Sequence, residues 1–385
     1  MPGAVAERVE QFVKSRVLGQ ERQLDALPSP PTRAYTEFQD LGLANWWIPR
    51  AHGGRGVSLE ESVDIVEALA YGDAGLAFTL FIAIIATTAV GLYGTPEQQQ
   101  RCLRPMAETG VTAATLGSER AAGSELLNTA TTARRSGDGY VLDGQKFFST
   151  NAGFADFWLV IARAPDDPSG FKALLLPRPR TTPGVKIERR WPMIGVRGSA
   201  SYQVGFADCR VPVEAALAPN GVRVLEVGLN PSRTLIAACA IGVARRIRDL
   251  CLEYARDKPL RGGLLVDNAV FAAKLGQIEM EIEVMRSVCR TAAQEYDRIL
   301  AGPDAAPRLL AAGSLKSTVV AKMCCGQAGM RIADVGSAMF GGLGYTEDHL
   351  IGKLVRDMRF VALVEGGDDV LRDLLYHRHV LPGAR

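Results

Sequence analysis

The sequence lacks a large excess of either charge, has few histidines, and contains no cysteine pattern typical of a metal site. Its 385 residues contain 44 Lys and Arg against 42 Asp and Glu, a net charge of only +2. This balance gives no support to nucleic-acid binding, which requires concentrated positive charge. The four histidines and seven cysteines show no CxxC and no Cys/His spacing typical of zinc ligands. We therefore expect no metal site and no nucleic-acid partner.

The first residues of the chain lack the features of a secretory signal. Residues 1–17 carry early charges and no apolar core segment. An odd number of cysteines, several in apolar helical contexts, is typical of reduced thiols in a cytosolic protein. Residues 75–93 contain no charge and approach the length of a membrane span. Because the rest of the chain has globular composition, we interpret this stretch as a buried helix and expect a cytoplasmic protein without a membrane span.

The pattern of the chain changes twice and predicts three regions, at 1–112, 113–220 and 221–385. The first is helical, with apolar residues at helical spacing from Val9 onward and a capping box formed by Ser58 and Glu61. The second consists of short apolar or alternating runs, with a hairpin turn at 136–139. Helices before and after a block of strands indicate an α+β fold, mainly α.

The pattern of the third region predicts long helices. One has an apolar stripe formed by Leu275, Ile278, Ile282, Met285, Cys289, Ala292, Tyr296 and Ile299. A second is predicted over about 309–336. A last helix follows Asp368 and Asp369, whose carboxylates are candidates to cap it.

Two segments of the middle region combine glycines with short hydroxyl residues. They are GSERAAGSE at 117–125 and DGQKFFSTNAG at 143–153. Gly123 permits positive φ and close approach of the backbone to a flat ligand. The hydroxyls can form hydrogen bonds, and Phe148 can supply an aromatic face. On spacing alone, two polar turns in an ordinary sheet explain the same residues equally well.

These segments resemble the flavin-binding middle domain of the acyl-CoA dehydrogenase family. That family has T-E-P-G-A-G-S-D followed by N-G-x-K-x-W-I-T-N, which align with 118–125 and 143–151. Arg120 replaces the proline and Phe148 the tryptophan. The similarity continues in order along nearly the whole chain. It implies an N-terminal helical domain, a middle β domain and a C-terminal four-helix bundle, assembled as a homo-oligomer, either a dimer or a tetramer.

The resemblance also suggests a catalytic base. Glu365 lies between an apolar run, 360–364, and two glycines, although from sequence alone a helix cap or a solvated charge is the commoner reading. Burial there would raise its pKa and make it a usable base near neutral pH. Glu365 occupies the position of the glutamate in the family's Y-E-G-T motif. The base position of other members corresponds to Ser232, which cannot accept the proton.

The resemblance implies FAD as cofactor and an acyl thioester as substrate. In the family, the base removes the α-proton while the β-hydrogen leaves as hydride to flavin N5. The backbone N–H of the base and the flavin ribityl chain stabilise the developing enolate. The implied substrate-binding residues are Ser124, Arg233 and Gly366. The implied cofactor-binding residues are Leu116, Ser118, Gly123, Ser124, Phe148, Ser149, Thr150, Lys258, Arg261, Ala338, Gly341, Gly342 and Gly367.

Residues expected to bind FAD from a neighbouring subunit depart from the family pattern. The family's R-x-T/Q-F-G segment is replaced by residues 258–262, in which Lys258 keeps the charge but loses the bidentate fork of arginine. Ala338 replaces a glutamine, and Gly367 replaces a threonine. Our hypothesis is that Arg261 compensates as a ligand of the FAD pyrophosphate. FAD is then expected to be held more loosely than is usual in the family.

Three functions fit the sequence. The first is FAD-dependent α,β-dehydrogenation of an acyl thioester, carried on CoA or on an acyl-carrier protein, with an electron-transfer flavoprotein or oxygen as acceptor. Arg120 is similar to its counterparts in members that serve polyketide-type pathways on carrier proteins. The second is a flavin-dependent monooxygenase on the same fold, against which Glu365 argues. The third is a non-catalytic scaffold member that has lost its cofactor.

Overall fold

The computed structural model describes residues 3–123 and 125–381. The helices are α1 (Gly3–Phe12), α2 (Glu21–Asp25), α3 (Thr32–Asp40), α4 (Leu59–Gly72), α5 (Ala74–Phe81), α6 (Ile84–Tyr93), α7 (Pro96–Thr109), α8 (Gly221–Asp257), α9 (Ala269–Leu300), α10 (Ala305–Ala312), α11 (Lys316–Met339), α12 (Leu350–Met358) and α13 (Asp368–Leu375). The strands are β1 (Ala113–Leu116), β2 (Thr132–Ser136), β3 (Gly139–Thr150), β4 (Phe157–Arg163), β5 (Phe171–Pro177), β6 (Val185–Arg190), β7 (Ser201–Pro212), β8 (Pro259–Leu260) and β9 (Gly263–Leu264). The fold is α+β and mainly α, as expected.

The N-terminal helices begin where their capping residues predict. Ser58 accepts a hydrogen bond from the Glu61 N–H, and the Glu61 carboxylate accepts one from the Ser58 N–H, which completes the predicted capping box. Asp73 caps α5 by accepting from the Leu76 N–H. The segment Ala74–Tyr93 has the length and composition of a membrane span, but 83% of its most apolar window is buried inside the protein. It forms two core helices, α5 and α6, where the sequence suggested one.

The sheet of the middle region brings the two glycine- and hydroxyl-rich segments together. Its strand order is β1-β4-β2-β3-β7-β6, with β5 paired to β4, and β2 and β3 form the predicted hairpin. The pairing of β3 with β7 shifts register between Lys146 and Ser149. At this irregularity the Phe147 N–H donates to the Ser118 carbonyl at 2.9 Å, so the 117–125 segment lies directly beside β3.

The long helices α8, α9 and α11 form the core of the C-terminal region. The predicted stripe of α9 is buried, apart from the half-buried Leu275. The helix predicted over 309–336 is wrong as one piece: α10 ends at Ala312, and Gly313 turns the chain with φ +65° before α11 begins. The predicted cap of the last helix is also wrong. Gly367 occupies the N-cap, and Asp368 and Asp369 lie in the first turn of α13.

Candidate active site

A cavity of about 460 Å³ opens between α5 and α6, the ends of β1 and β3, α8, and the loop before α13. Most of its lining is apolar. The apolar side chains are those of Phe78, Ile82, Ile85, Leu126, Phe148, Met193, Val196, Leu225, Leu229, Leu363, Val364, Val370, Leu371 and Leu374. The polar side chains are those of Thr115, Ser118, Thr150, Ser199, Ser201, Glu226, Arg233, Ser314 and Glu365. An apolar cleft with a few converging polar groups is typical of a small-molecule site.

The cavity brings together part of the predicted site. The predicted residues that line it are Ser118, Phe148, Thr150, Arg233, Glu365 and Gly366. Residues predicted for the same site that do not line it are Leu116, Gly123, Ser149 and Gly367. Leu116 and Ser149 are fully buried beneath it, whereas Gly123 is exposed. Ser124 lies outside the described residues. Arg120 is exposed, and the structure does not explain its presence.

A buried ion pair supports the Ser118 side of the cavity. Lys146 on β3 is 0% exposed, and its Nζ donates to the Glu119 carboxylate at 2.7 Å and to the Gly117 carbonyl at 2.9 Å. Glu119 also accepts from the N–H groups of Ala130 and Thr131. Burial lowers the pKa of Lys146 to about 8, although the Glu119 carboxylate opposes the shift. The backbone carrying Ser118 is thereby tied to the sheet.

An aromatic stack that the sequence interpretation missed supports Phe148. Phe148 has φ +53°, is 54% exposed and lines the cavity. The Trp191 ring lies 4.9 Å from it, and the Arg189 guanidinium covers the Trp191 ring at 3.7 Å. Trp191 is an aromatic residue beside two arginines, but nothing in its local sequence indicated that it would meet Phe148.

Hydroxyl groups at the strand ends offer donors and acceptors to a ligand. The Thr150 Oγ1 lies 3.0 Å from the Ser201 Oγ. Thr115 also lines the cavity, and its buried Oγ1 has no hydrogen-bond partner within the part of the chain that the structure describes. A buried hydroxyl without a partner is unfavourable unless a ligand or water completes its bonding. Thr115 lies in β1, three residues before the aligned motif begins at Ser118, which is why the motif did not include it.

Glu365 reaches the cavity from the loop before α13 and is held at three points. Its backbone has φ +54°, a left-handed conformation that is uncommon outside glycine. Its Oε1 accepts a hydrogen bond from the Ser232 Oγ at 2.5 Å. Its carbonyl accepts from Arg233 Nε at 3.1 Å and Nη2 at 3.0 Å. Its buried Oε2 has no hydrogen-bond partner among the described residues.

The surroundings of Glu365 shift its pKa strongly. Burial raises the pKa of the carboxyl from 4.5 to about 7, and outweighs the opposing effects of the Ser232 hydrogen bond and the Arg233 and Lys322 cations. A carboxylate with a pKa near neutrality is basic enough to take a proton and is still ionised in half or more of the molecules at pH 7 and above. Ser232, which cannot itself serve as a base, therefore contributes a hydrogen bond to Glu365, the predicted base.

This raised pKa predicts that Glu365→Gln stabilises the protein at alkaline pH. Between pH 4.5 and about 7 the unfolded carboxyl has lost its proton while the folded one retains it, so wild-type stability falls as the pH rises through this window. Above pH 7 the penalty is complete, up to roughly 3 kcal/mol before screening by solvent. Thermal unfolding should therefore show a higher Tm for the variant at pH 8.5 and a small difference at pH 5. An equal Tm difference at both pH values would contradict the prediction.

The residues predicted to bind FAD from a neighbouring subunit lie elsewhere. None of Lys258, Arg261, Ala338, Gly341 and Gly342 lines the cavity. Arg261 is exposed at the tip of the β8–β9 hairpin, with φ +49°. The segment with Lys258 and the segment with Ala338 meet through aromatic rings. Lys258 Nζ lies 5.9 Å from the Tyr254 ring, and the Tyr254 ring lies 4.7 Å from the Phe340 ring. They form one surface, on which Ala338, Gly341 and Gly342 are also exposed.

Comparison with known proteins places the chain in a family. Family models for the N-terminal, middle and C-terminal domains of acyl-CoA dehydrogenases match residues 3–110, 114–209 and 219–380. The chain belongs to the acyl-CoA dehydrogenase family. Members of this family are FAD-dependent oxidoreductases that act on CH–CH bonds, and the resemblance noted in the sequence is confirmed.

Individual relatives match over nearly the full length. The "Probable acyl-CoA dehydrogenase YngJ" of Bacillus subtilis (strain 168) is 28% identical over 96% of this chain and 95% of its own. Butyryl-CoA dehydrogenase from Megasphaera elsdenii has the same fold, with a TM-score of 0.89 and 24% identity over 98% of both chains. The prolyl acyl carrier protein oxidase AnaB is similar in fold, with a TM-score of 0.86 and 21% identity over 98% of both chains.

The residues of the cavity fit the isoalloxazine end of FAD. The exposed face of Phe148 can pack against a flat ring. The buried Thr115 hydroxyl has no partner within the described part of the chain, and the hydroxyls of Thr150 and Ser118 line the same cavity. Gly117 places backbone without a side chain on the wall of the cavity. The donor set is therefore suited to a planar ligand with several polar edge atoms.

Proposed function

We propose that the protein catalyses FAD-dependent α,β-dehydrogenation of an acyl thioester, with Glu365 as the base that removes the α-proton. The observation that carries this proposal is the environment of the Glu365 carboxyl group. Ser232 fixes one of its oxygens, the other has no hydrogen-bond partner among residues 3–123 and 125–381, and burial raises its pKa to about 7. It shares one cavity with Ser118, Phe148 and Thr150, the residues proposed for the flavin side.

The two oxygens of the Glu365 carboxylate have different proposed roles. The Ser232 hydrogen bond to Oε1 fixes the rotation of the carboxyl group, so Oε2 is the oxygen available to take the proton. The apolar walls exclude water, which strengthens electrostatic interactions within the site and prevents water from protonating the base. Bound FAD supplies the acceptor for the hydride from the β-carbon. Ser118, Phe148, Thr150 and Thr115 are the residues of this chain proposed to hold it.

The shape of the cavity favours an acyl group among its apolar side chains. Phe78, Ile82 and Ile85 come from the core helices α5 and α6, and Leu225 and Leu229 from α8. Arg233, which is bonded to the Glu365 carbonyl and to Ser314, adds polar groups to the same cavity. We propose that the thioester is carried on CoA or on an acyl-carrier protein. The proposed acceptor of the electrons is an electron-transfer flavoprotein or oxygen, and we place the homo-oligomeric enzyme in the cytoplasm, where its free cysteines remain reduced.

Anaerobic bleaching of the flavin tests the proposal. The purified protein is mixed without oxygen with a panel of acyl-CoA and acyl-carrier-protein thioesters of different chain lengths. Loss of the oxidised flavin absorbance with at least one thioester is the expected result. The corresponding free acids and the α,β-unsaturated thioesters serve as controls and should not bleach. A flavin-containing protein that no thioester bleaches would refute the function.

The exposed arginine of the β8–β9 hairpin gives a separate prediction about cofactor retention. If Arg261 binds the FAD pyrophosphate of a neighbouring subunit, Arg261→Ala loses charge-assisted hydrogen bonds and should weaken FAD binding about tenfold or more. The measurement is flavin occupancy after gel filtration. Arg101→Ala, at an exposed arginine on α7, is the matched control and should retain FAD. Unchanged occupancy in Arg261→Ala would exclude the role.

A further inference from the structure

A buried lysine outside the recognised motifs contacts the loop that carries Glu365. Lys322 on α11 is 0% exposed, in the apolar run VVAKMCC. Its Nζ donates a hydrogen bond to the Gly366 carbonyl at 2.6 Å. Within the described residues, no carboxylate oxygen lies close enough to form an ion pair with it. Burying an ammonium group without a carboxylate partner is costly, so this position needs an explanation beyond packing.

A second buried cation holds the preceding carbonyl of the same loop. Arg233 on α8 donates through Nε and Nη2 to the Glu365 carbonyl, and through Nη1 to the Ser314 Oγ at 2.9 Å. Two successive carbonyl groups are therefore each held by a cation, one from α8 and one from α11. Hydrogen bonds from charged donors are stronger than those between neutral groups, so this part of the loop is fixed from two sides.

The conformation of the loop explains why it needs such support. Glu365 has φ +54° and Gly366 has φ +103°, so two consecutive residues lie in the left-handed half of backbone space. For a glutamate this conformation is unfavourable and persists only where the surroundings impose it. In a trans peptide the C=O and N–H point in opposite directions. Holding the two carbonyls toward α8 and α11 therefore turns the N–H groups of Gly366 and Gly367 away from those helices.

We propose that Lys322 is a positioning residue, which holds the turn at 365–367 in the conformation that presents the Glu365 carboxylate to the substrate. The proposal rests on the function proposed above. The positive charge of Lys322 also acts on Glu365. The charged groups that act on it are Arg233, Glu365 and Asp368, and those that act on Glu365 are Arg233 and Lys322. Since the Lys322 cation lowers the pKa of Glu365, removing it should make the carboxyl harder to ionise.

Three substitutions separate the hydrogen bond from the charge. Lys322→Met removes both at similar volume, Lys322→Gln keeps a donor without the charge, and Lys322→Arg keeps both. In the FAD-loaded full-length protein, Lys322→Met should slow flavin bleaching at pH 7.5 about 30-fold with the substrate Kd changed less than threefold, because positioning affects the chemical step more than binding. The pH at which the rate reaches half its plateau should rise by roughly one unit in the Met and Gln variants. Lys322→Arg should restore the wild-type profile.

A readout independent of turnover accompanies the kinetics. Infrared difference titration of the same proteins follows ionisation of the Glu365 carboxyl group, and the band that is missing in Glu365→Gln identifies this carboxyl. The pKa measured from this band should rise in the Met and Gln variants by the same amount as the midpoint of the rate profile. If Lys322→Met does not fold, the smaller Lys322→Leu, which also removes the donor and the charge, carries the test of positioning, and Lys322→Gln carries the test of the charge. A wild-type pH profile and rate in the Met and Gln variants would overturn the positioning role. Failure of the proposed function is distinguishable, because the wild type itself would then not be bleached by any thioester.

Discussion

Glu365→Gln is expected to retain FAD and to lose flavin bleaching almost completely, by about 10⁴-fold, the upper end of the range for removing a general base. Glutamine has nearly the same shape, and its Oε1 can still accept the hydrogen bond from Ser232. What it cannot do is take the α-proton. The measurement is the rate constant of anaerobic bleaching with a thioester that bleaches the wild type.

A second carboxylate in the same cavity provides the matched control for this variant. Glu226 lines the cavity, but its two oxygens are paired with Arg223 and Arg378 at 2.8 and 2.6 Å. Since both of its oxygens are already bonded to arginine side chains, Glu226→Gln should slow bleaching less than tenfold. A Glu365→Gln protein that bleached as fast as the wild type would show that the base is another group.

Lys146→Met is expected to destabilise the protein by about 3–5 kcal/mol, the usual effect of removing one partner of a buried ion pair. The substitution leaves the Glu119 carboxylate buried without a cation, bonded to the Ala130 N–H and to Thr131. It also removes the hydrogen bond to the Gly117 carbonyl, which ties the Ser118 backbone to β3. The free energy of unfolding from urea denaturation measures the effect.

Two further variants establish the cause of that loss. Lys186→Met changes an exposed lysine on β6 and should alter stability by less than about 0.5 kcal/mol. Adding Glu119→Gln to Lys146→Met removes the unpaired buried charge and should recover part of the lost stability. A free energy of unfolding of Lys146→Met within 1 kcal/mol of the wild-type value would show that the Lys146–Glu119 ion pair does not stabilise this side of the cavity.

Sequence patterns correctly predicted those structural elements that depend on residues close to one another in the chain. The capping box at Ser58, the β2–β3 hairpin and the buried stripe of α9 depend on residues within a turn or two of one another. Errors occurred where short polar or glycine residues interrupted a helical pattern. Gly313 ends α10 in the middle of a predicted helix, and its break places Ser314 where Arg233 can donate to it.

The candidate site was predictable only in part, because its contacts join distant segments. Resemblance to a family indicated Glu365, Arg233 and the residues at the end of β3. The hydrogen bond from Ser232 to Glu365 spans 133 residues and that from Lys322 to Gly366 spans 44, so neither follows from local spacing. A lysine inside an apolar run was the one local signal for Lys322. Ser232 gave no signal beyond its failure to be a base.

We propose that the Glu365 carboxyl takes the α-proton with a pKa near 7, and the pH dependence of anaerobic bleaching tests this role most directly. The rate constant should rise about tenfold per pH unit below pH 7 and reach a plateau above it, since only the ionised carboxyl accepts the proton. Deuterium at the α-carbon should slow the reaction on that plateau. A rate constant that is independent of pH between 5.5 and 9, with no effect of α-deuterium, would contradict the account.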